Sequence, residues 1–167
     1  MPKRIIVYDV LISCPSDVGE YIDSIKRGVY RFNSTHGEYR GIILRTKYWK
    51  DDSFAQSGGK AQELLNQQIV ETSDLAIAVF WTKFGEPTAH FASGTEEEIE
   101  TMILKGKQVF LYFLDKPVSP SMMNSREYKK IANFKKKYRD KGIYSIVKDE
   151  RELESRIEDG LIRYFFK

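Results

Sequence analysis

The chain has 167 residues, 41% hydrophobic and 31% charged, which fits one domain spanning 1–167 with a sizeable core. A net charge of +3 is too small to argue for a nucleic-acid partner, and the one cysteine, Cys14, excludes an internal disulfide and suits a reducing, cytoplasmic setting. No run approaches the roughly 20 apolar residues that span a bilayer, and the opening MPKRIIVYDVLIS lacks a signal-peptide pattern.

Arg4 to Ser13 is β-branched and ends at Cys14-Pro15, which reads as a buried strand. Ser16-Asp17 offers an N-cap for a helix over Val18 to Phe32, and Asn33 to Gly37 reads as a loop. Gly41 to Trp49 is a second strand, Lys50 to Gly59 a polar loop, and Lys60 to Glu71 a helix. Asp74 to Trp81 (DLAIAVFW) is a nearly continuous apolar strand, so both its faces should be covered. A loop and an acidic stretch follow, the latter opening a helix that ends at Gly106. Gln108 to Leu114 is a fourth strand, Ser125 to Arg139 a basic helix, Gly142 to Val147 a fifth strand, and Asp149 to Phe166 a closing amphipathic helix. Strict strand–helix alternation predicts a parallel sheet with helices on both faces, and five strands suggest the order 2-1-3-4-5.

Ligands of such sheets bind beyond the carboxyl ends of the strands. Those ends carry Ser13 and Cys14, Trp49 with Asp51 and Asp52, Trp81 with Phe84 and Gly85, and Asp115. Either tryptophan there has two readings: a platform for a flat heterocycle, or a lid on the core. SGGK (Ser57 to Lys60) lacks Walker A spacing, and no Gly-x-Gly-x-x-Gly occurs. His36 and His90 are isolated, without metal-ligand spacing. Cys14 reads as a buried thiol before it reads as a nucleophile, and the basic run Lys129 to Lys141 as a solvated helix face before a phosphate contact.

SGTEEEIE (Ser93 to Glu100) holds four carboxylates in eight residues. Ser93 and Glu96 form one possible capping box, Thr95 and Glu98 a second. At ~100° per residue, Ile99, Met102 and Ile103 mark the buried face, Glu97 points to solvent, and Glu96 and Glu98 flank the buried face. Periodicity leaves both of the last two open as the acid that faces a cleft.

Taken together, VLISCPSD, YWKDDSFAQSGG, LNQQIVETSDLAIAVFW and EEIETMILKGKQVFLYF resemble, in that order, the successive segments of a bacterial Toll/interleukin-1 receptor (TIR) domain. In that register the family's catalytic glutamate falls on Glu98. GTEEE (Gly94 to Glu98) is also similar to the Gly-Thr-x-x-Glu motif of nucleoside deoxyribosyltransferases, whose glutamate acts at a sugar C1′. The chain departs from the TIR pattern in its third-strand loop, TKFGEPTAHFA. Gly94 and Thr95 also stand where a Trp-Cys pair is usual.

The resemblance implies a three-layer flavodoxin-like fold and cleavage of the nicotinamide–ribose bond of NAD⁺, a substrate rather than a cofactor, with no metal. It gives Glu98 the catalytic role and makes Ser13, Cys14, Trp49, Asp51, Trp81, Phe84, Gly85, Ser93 and Thr95 candidates for contacting or orienting substrate. It further implies self-association through the 50–59 loop, and a place in antiphage defence. There a sensor domain or a nucleotide-sensing partner would act as trigger, and the chain would be one domain of a longer effector. A nucleoside N-glycosidase or transferase, and a non-catalytic adaptor working by homotypic contacts, remain as alternatives.

Overall fold

The computed structural model describes residues 1–167. Strand β1 (Ile6–Ser13) is followed by a 3-10 turn (Ser16–Tyr21) and helix α1 (Ile22–Phe32). A π-helical turn (Asn33–Gly37) and the short α2 (Glu38–Arg40) lead to β2 (Ile42–Lys47). Then come α3 (Trp49–Asp52), α4 (Ala61–Leu65), a second π turn (Asn66–Val70) and β3 (Leu75–Phe80). Helix α5 (Gly94–Leu104), β4 (Gln108–Leu114), a 3-10 turn (Pro120–Met122), α6 (Ser125–Tyr138), β5 (Tyr144–Val147) and α7 (Glu150–Phe165) complete the chain.

All strand pairs are parallel, in the order β2-β1-β3-β4-β5, so the expected α/β flavodoxin-like architecture holds. The alternation of side chains along each strand divides the core in two. Val10 and Ile12 of β1 and Leu75, Ile77 and Val79 of β3 pack with α1 and α7. Leu11, Ala76, Ala78 and Phe80 pack with α5 and α6 on the other face. All six residues of β3 are buried, as its unbroken apolar run requires.

Three segments differ from their sequence reading. Trp49 to Asp52, read as a strand end and the start of a loop, form the helix α3, because β2 already ends at Lys47. Asn33 to Gly37 is helical rather than a loop. The Asn33 amide both accepts from Leu44 N (2.8 Å) and donates to Leu44 O (2.9 Å), so β2 holds the extra turn in place of a polar break. Ser16-Asp17 does not cap α1, because the chain first runs through the 3-10 turn. Asp17 Oδ2 instead accepts from Thr82 N (2.8 Å), Thr82 Oγ1 (2.8 Å) and Lys83 N (3.1 Å), pinning the turn after β3.

Candidate active site

Ser13 closes β1 and pairs in register with Ala78 of β3. It therefore stands at the carboxyl edge, between the two strands where the winding direction reverses. The period of two puts Ser13 on the Leu11 face, toward α5. Helix α5 begins there because Ser93, fully buried, accepts Glu96 N on Oγ at 3.1 Å.

The four carboxylates of α5 have four different environments. Glu96 contributes its backbone to the Ser93 cap. Glu97 does not face solvent: it accepts from Asn66 Nδ2 (3.1 Å) and Thr88 Oγ1 (3.3 Å). Glu100 is buried and chelates Lys141 Nζ at 2.5 Å from both oxygens, with Lys137 at 3.7 Å. Glu98 turns inward to the strand edge, where Ser13 Oγ donates to Oε2 and Gln62 Nε2 donates to Oε1 at 3.3 Å. The second capping box is thus absent, because Thr95 already lies inside the helix and Glu98 is engaged elsewhere.

Burial pushes the Glu98 carboxyl up to about 7, and the charge of Glu97 adds to the rise. The hydrogen bonds from Ser13 and Gln62 favour the ionised form and hold the shift back. A carboxyl raised this far can exchange its proton near neutrality. Periodicity left Glu96 and Glu98 open; the geometry brings only Glu98 to the Ser13 edge.

The surroundings extend this cluster. Gln62 also donates to Asn66 Oδ1 (3.0 Å), which links Ser13, Glu98, Gln62, Asn66, Glu97 and Thr88 in one chain of hydrogen bonds. A Cβ on Gly94 would meet Gln62 Oε1 at 2.6 Å, so glycine at this position lets α4 approach α5. Gly85 has φ +108°, and a Cβ there would meet Ser93 Cβ at 3.2 Å and Pro15 Cβ at 3.7 Å. It folds the loop after β3 against the end of β1 and the start of α5. Thr95, in the first turn of α5, is buried.

Cys14 lies within reach of the Glu98 field. Burial first, then the charges of Glu98 and Asp17, push its thiol up to about 12, so it is a neutral wall and not a nucleophile. Tyr48, buried at the end of β2, is also pushed up to about 12, by burial first and then by Cys14, Asp51 and Glu98. Tyr48, Gln62, Asn66, Glu97 and Thr88 were missed in the sequence. The one available signal was the i, i+4 spacing of Gln62 and Asn66 on one helix.

The aromatic candidates divide. Phe84 is 1% exposed and stacks on Phe80 with ring centroids 5.2 Å apart, so it is core and cannot receive a substrate ring. Trp49 is 43% exposed beside Tyr48, and Asp51 next to it is paired with Lys26 at 2.6 Å. Trp81 packs on the α1–α7 side of the sheet, edge-on to Tyr21, and donates Nε1–H to Lys116 O at 3.1 Å. It lines a separate cleft of about 430 Å³ with Phe113, Leu114 and Lys135, which contains neither Ser13 nor Glu98. No group of three or more His, Cys, Asp or Glu side chains is placed to hold a metal, and no helix is long and apolar enough to cross a membrane.

The family described as "Domain of unknown function (DUF4062)" matches residues 16–162, and the chain belongs to it. No curated protein matches the chain.

Proposed function

We propose that this chain is an NAD⁺ glycohydrolase or cyclase of TIR type, with Glu98 as its catalytic residue. The carrying observation is the placement of the Glu98 carboxylate against Ser13 at the carboxyl edge between β1 and β3, while the Glu97 and Glu100 carboxylates are bound to other partners.

The reaction asks little of the protein beyond charge and position. The C1′–N bond of NAD⁺ breaks with its electron pair going to the nicotinamide ring, which leaves neutral. Positive charge then develops on the ribose as an oxocarbenium-like centre. An ionised Glu98 stabilises that charge, a contribution commonly on the order of 3–4 kcal/mol for one preorganised group. Water attacking C1′ and losing a proton gives ADP-ribose; an internal nitrogen attacking instead gives a cyclic product. Ser13 and Gln62 hold the carboxylate on the sheet edge, Cys14 and Tyr48 wall it, and Trp49 offers an exposed ring for a base. Ser93 and Gly85 set the start of α5, and Thr95 is buried in its first turn.

The test is incubation of concentrated protein with NAD⁺, with and without a crowding agent, following nicotinamide by chromatography. Release that is lost in Glu98→Gln supports the reading. Release unchanged in that variant removes Glu98 from the mechanism. Fold and resemblance also fit a role as a cytoplasmic defence effector that assembles through the 50–59 loop when a sensor or nucleotide-binding partner triggers it.

One observation favours a second reading. The base of a neutral nucleoside takes the electron pair of the C1′–N bond and leaves readily only when protonated, and a carboxyl poised at about 7 can give that proton. A nucleoside N-glycosidase or transferase would then use Glu98 as acid, and its rate would fall as pH rises through 7. The NAD⁺ reaction needs the carboxylate, and its rate would rise. Absence of turnover on either substrate, in both conditions, would favour the adaptor.

A further inference from the structure

The cleft beside Trp81 belongs to neither reading of Glu98. It lies across the carboxyl ends of β3, β4 and β5, roofed by the segment between β4 and α6 and by the first turns of α6. Its volume of about 430 Å³ is that of a small-molecule site. Phe113 and Leu114 form the floor, Ile131 and Ile146 the sides. Tyr128 and Met123, 64% and 61% exposed, stand at the rim.

The polar groups in it are unequally employed. Lys116 is paired with Glu150 at 3.2 Å and sits over the Tyr21 ring. Asn124 uses its oxygen to cap α6, accepting Arg126 N (3.0 Å) and Glu127 N (3.3 Å), which leaves its NH₂ free. Lys135 has no carboxylate within 4.0 Å. Its ammonium instead rests 4.7 Å from the centre of the Phe113 ring, on the cleft wall. On the same helix and just after it, Lys130, Lys137 and Lys141 have an acid partner, while Lys129 and Lys136 are unpaired but exposed to solvent. The slot thus carries one half-buried, unpaired cation and one free amide donor, with the exposed Asp115 carboxylate also in its lining and facing solvent.

We propose that this cleft binds a small organic anion: a flat apolar body in the slot, with one carboxylate or phosphate group on Lys135 and the Asn124 amide. The site stands whether or not Glu98 cleaves a glycosidic bond, since the two share no residue. The ring buries apolar area of Met123, Tyr128 and Ile146, and the anion replaces the aromatic face as partner of Lys135.

The experiment is a titration of ¹⁵N-labelled full chain with three probes: indole-3-acetate, indole and acetate. Indole-3-acetate should shift the amides of residues 115–118, 124–128 and 146 saturably. Indole should bind there at least fivefold more weakly, and acetate should leave these amides in place. A parallel titration with phenyl phosphate decides which anion is preferred. Lys135→Met should reduce indole-3-acetate to the level of indole, with the spectrum otherwise intact. Lys136→Met, altering an exposed neighbour outside the cleft, should change nothing. Shifts scattered elsewhere, or undiminished affinity in Lys135→Met, would overturn the proposal.

Discussion

At the residue scale, Glu98 makes opposite demands on stability and on chemistry. Its folded carboxyl holds the proton up to about 7, against 4.5 as the ordinary value. Between those values the folded chain binds more protons than the unfolded one, so stability falls as pH rises from about 4.5 through 7. Glu98→Gln carries no such charge. It should match the wild type near pH 4.5 and exceed it by about 2 kcal/mol at pH 8, after allowance for partial exposure, in denaturant melts at the two pH values. Equal stability at pH 8 would mean that the carboxylate costs nothing in the fold. Gln62 bears on the same proton. Gln62→Leu removes a donor to the charged form and should raise the Glu98 midpoint by about 0.5–1 unit, measured by ¹³C carboxyl titration without substrate. An unmoved midpoint would make Gln62 a structural neighbour only. Sequence periodicity could not single out Glu98, because Glu96 and Glu98 flank the buried face equally. What separates them is which strand end and which helix they meet, Ser13 across 85 positions and Gln62 across 36. The family resemblance pointed to Glu98 by register. It carried no information on Gln62 or Tyr48.

At the element scale, the strands and most helices could be read from the chain, because apolar runs and 3.6-residue periodicity are local. The strand order followed from alternation and the handedness of crossovers. The π turn over Asn33–Gly37 was not legible. It depends on a tertiary partner, through the grip of Asn33 on Leu44. The burial of Phe84 was hidden for a similar reason: a phenylalanine just past a strand looks exposed until the rings of Phe80 and Phe134 close on it. The closest helix pairing is α1 with α7. A Cβ on Gly28 would meet Glu154 O and Ile157 Cγ2, each at 2.9 Å, and Arg27 and Arg31 reach Glu154 and Glu158 beside it. Backbone at that distance cannot give way without moving a helix. Gly28→Ala should therefore cost about 1–3 kcal/mol despite its better helix propensity, read as a lowered denaturant midpoint at unchanged m. A neutral or stabilising result would show that α7 shifts freely, and that the α1–α7 face is softer than its packing implies.

At the scale of the whole molecule, the loop after β2 is held in one conformation. Gln68 Oε1 accepts Phe54 N at 3.1 Å, while its Nε2 donates to Phe54 O at 3.2 Å and to Gln56 Oε1 at 2.7 Å. A loop fixed in this way presents the Phe54 ring, 66% exposed, and the nearby Trp49, 43% exposed, without an ordering cost at the moment of contact. Exposed aromatics on a rigid support are the usual anchors of an interface. If one protomer's 50–59 loop completes its neighbour's site, two separable functions sit on one chain: an acceptor site at Glu98 and a donor loop at Phe54. Phe54→Ser should leave thermal stability within the ±0.5 kcal/mol of an ordinary surface change and should abolish both sedimenting assemblies and nicotinamide release. Glu98→Gln should assemble normally and release nothing. Mixed together, the two inactive proteins should regain activity, because the intact loop of Glu98→Gln can fill the intact site of Phe54→Ser. Recovery on mixing requires the site to be shared between chains. Assembly with no recovery would place the loop at an interface away from Glu98, and activity of Phe54→Ser alone would show that each chain holds a complete site.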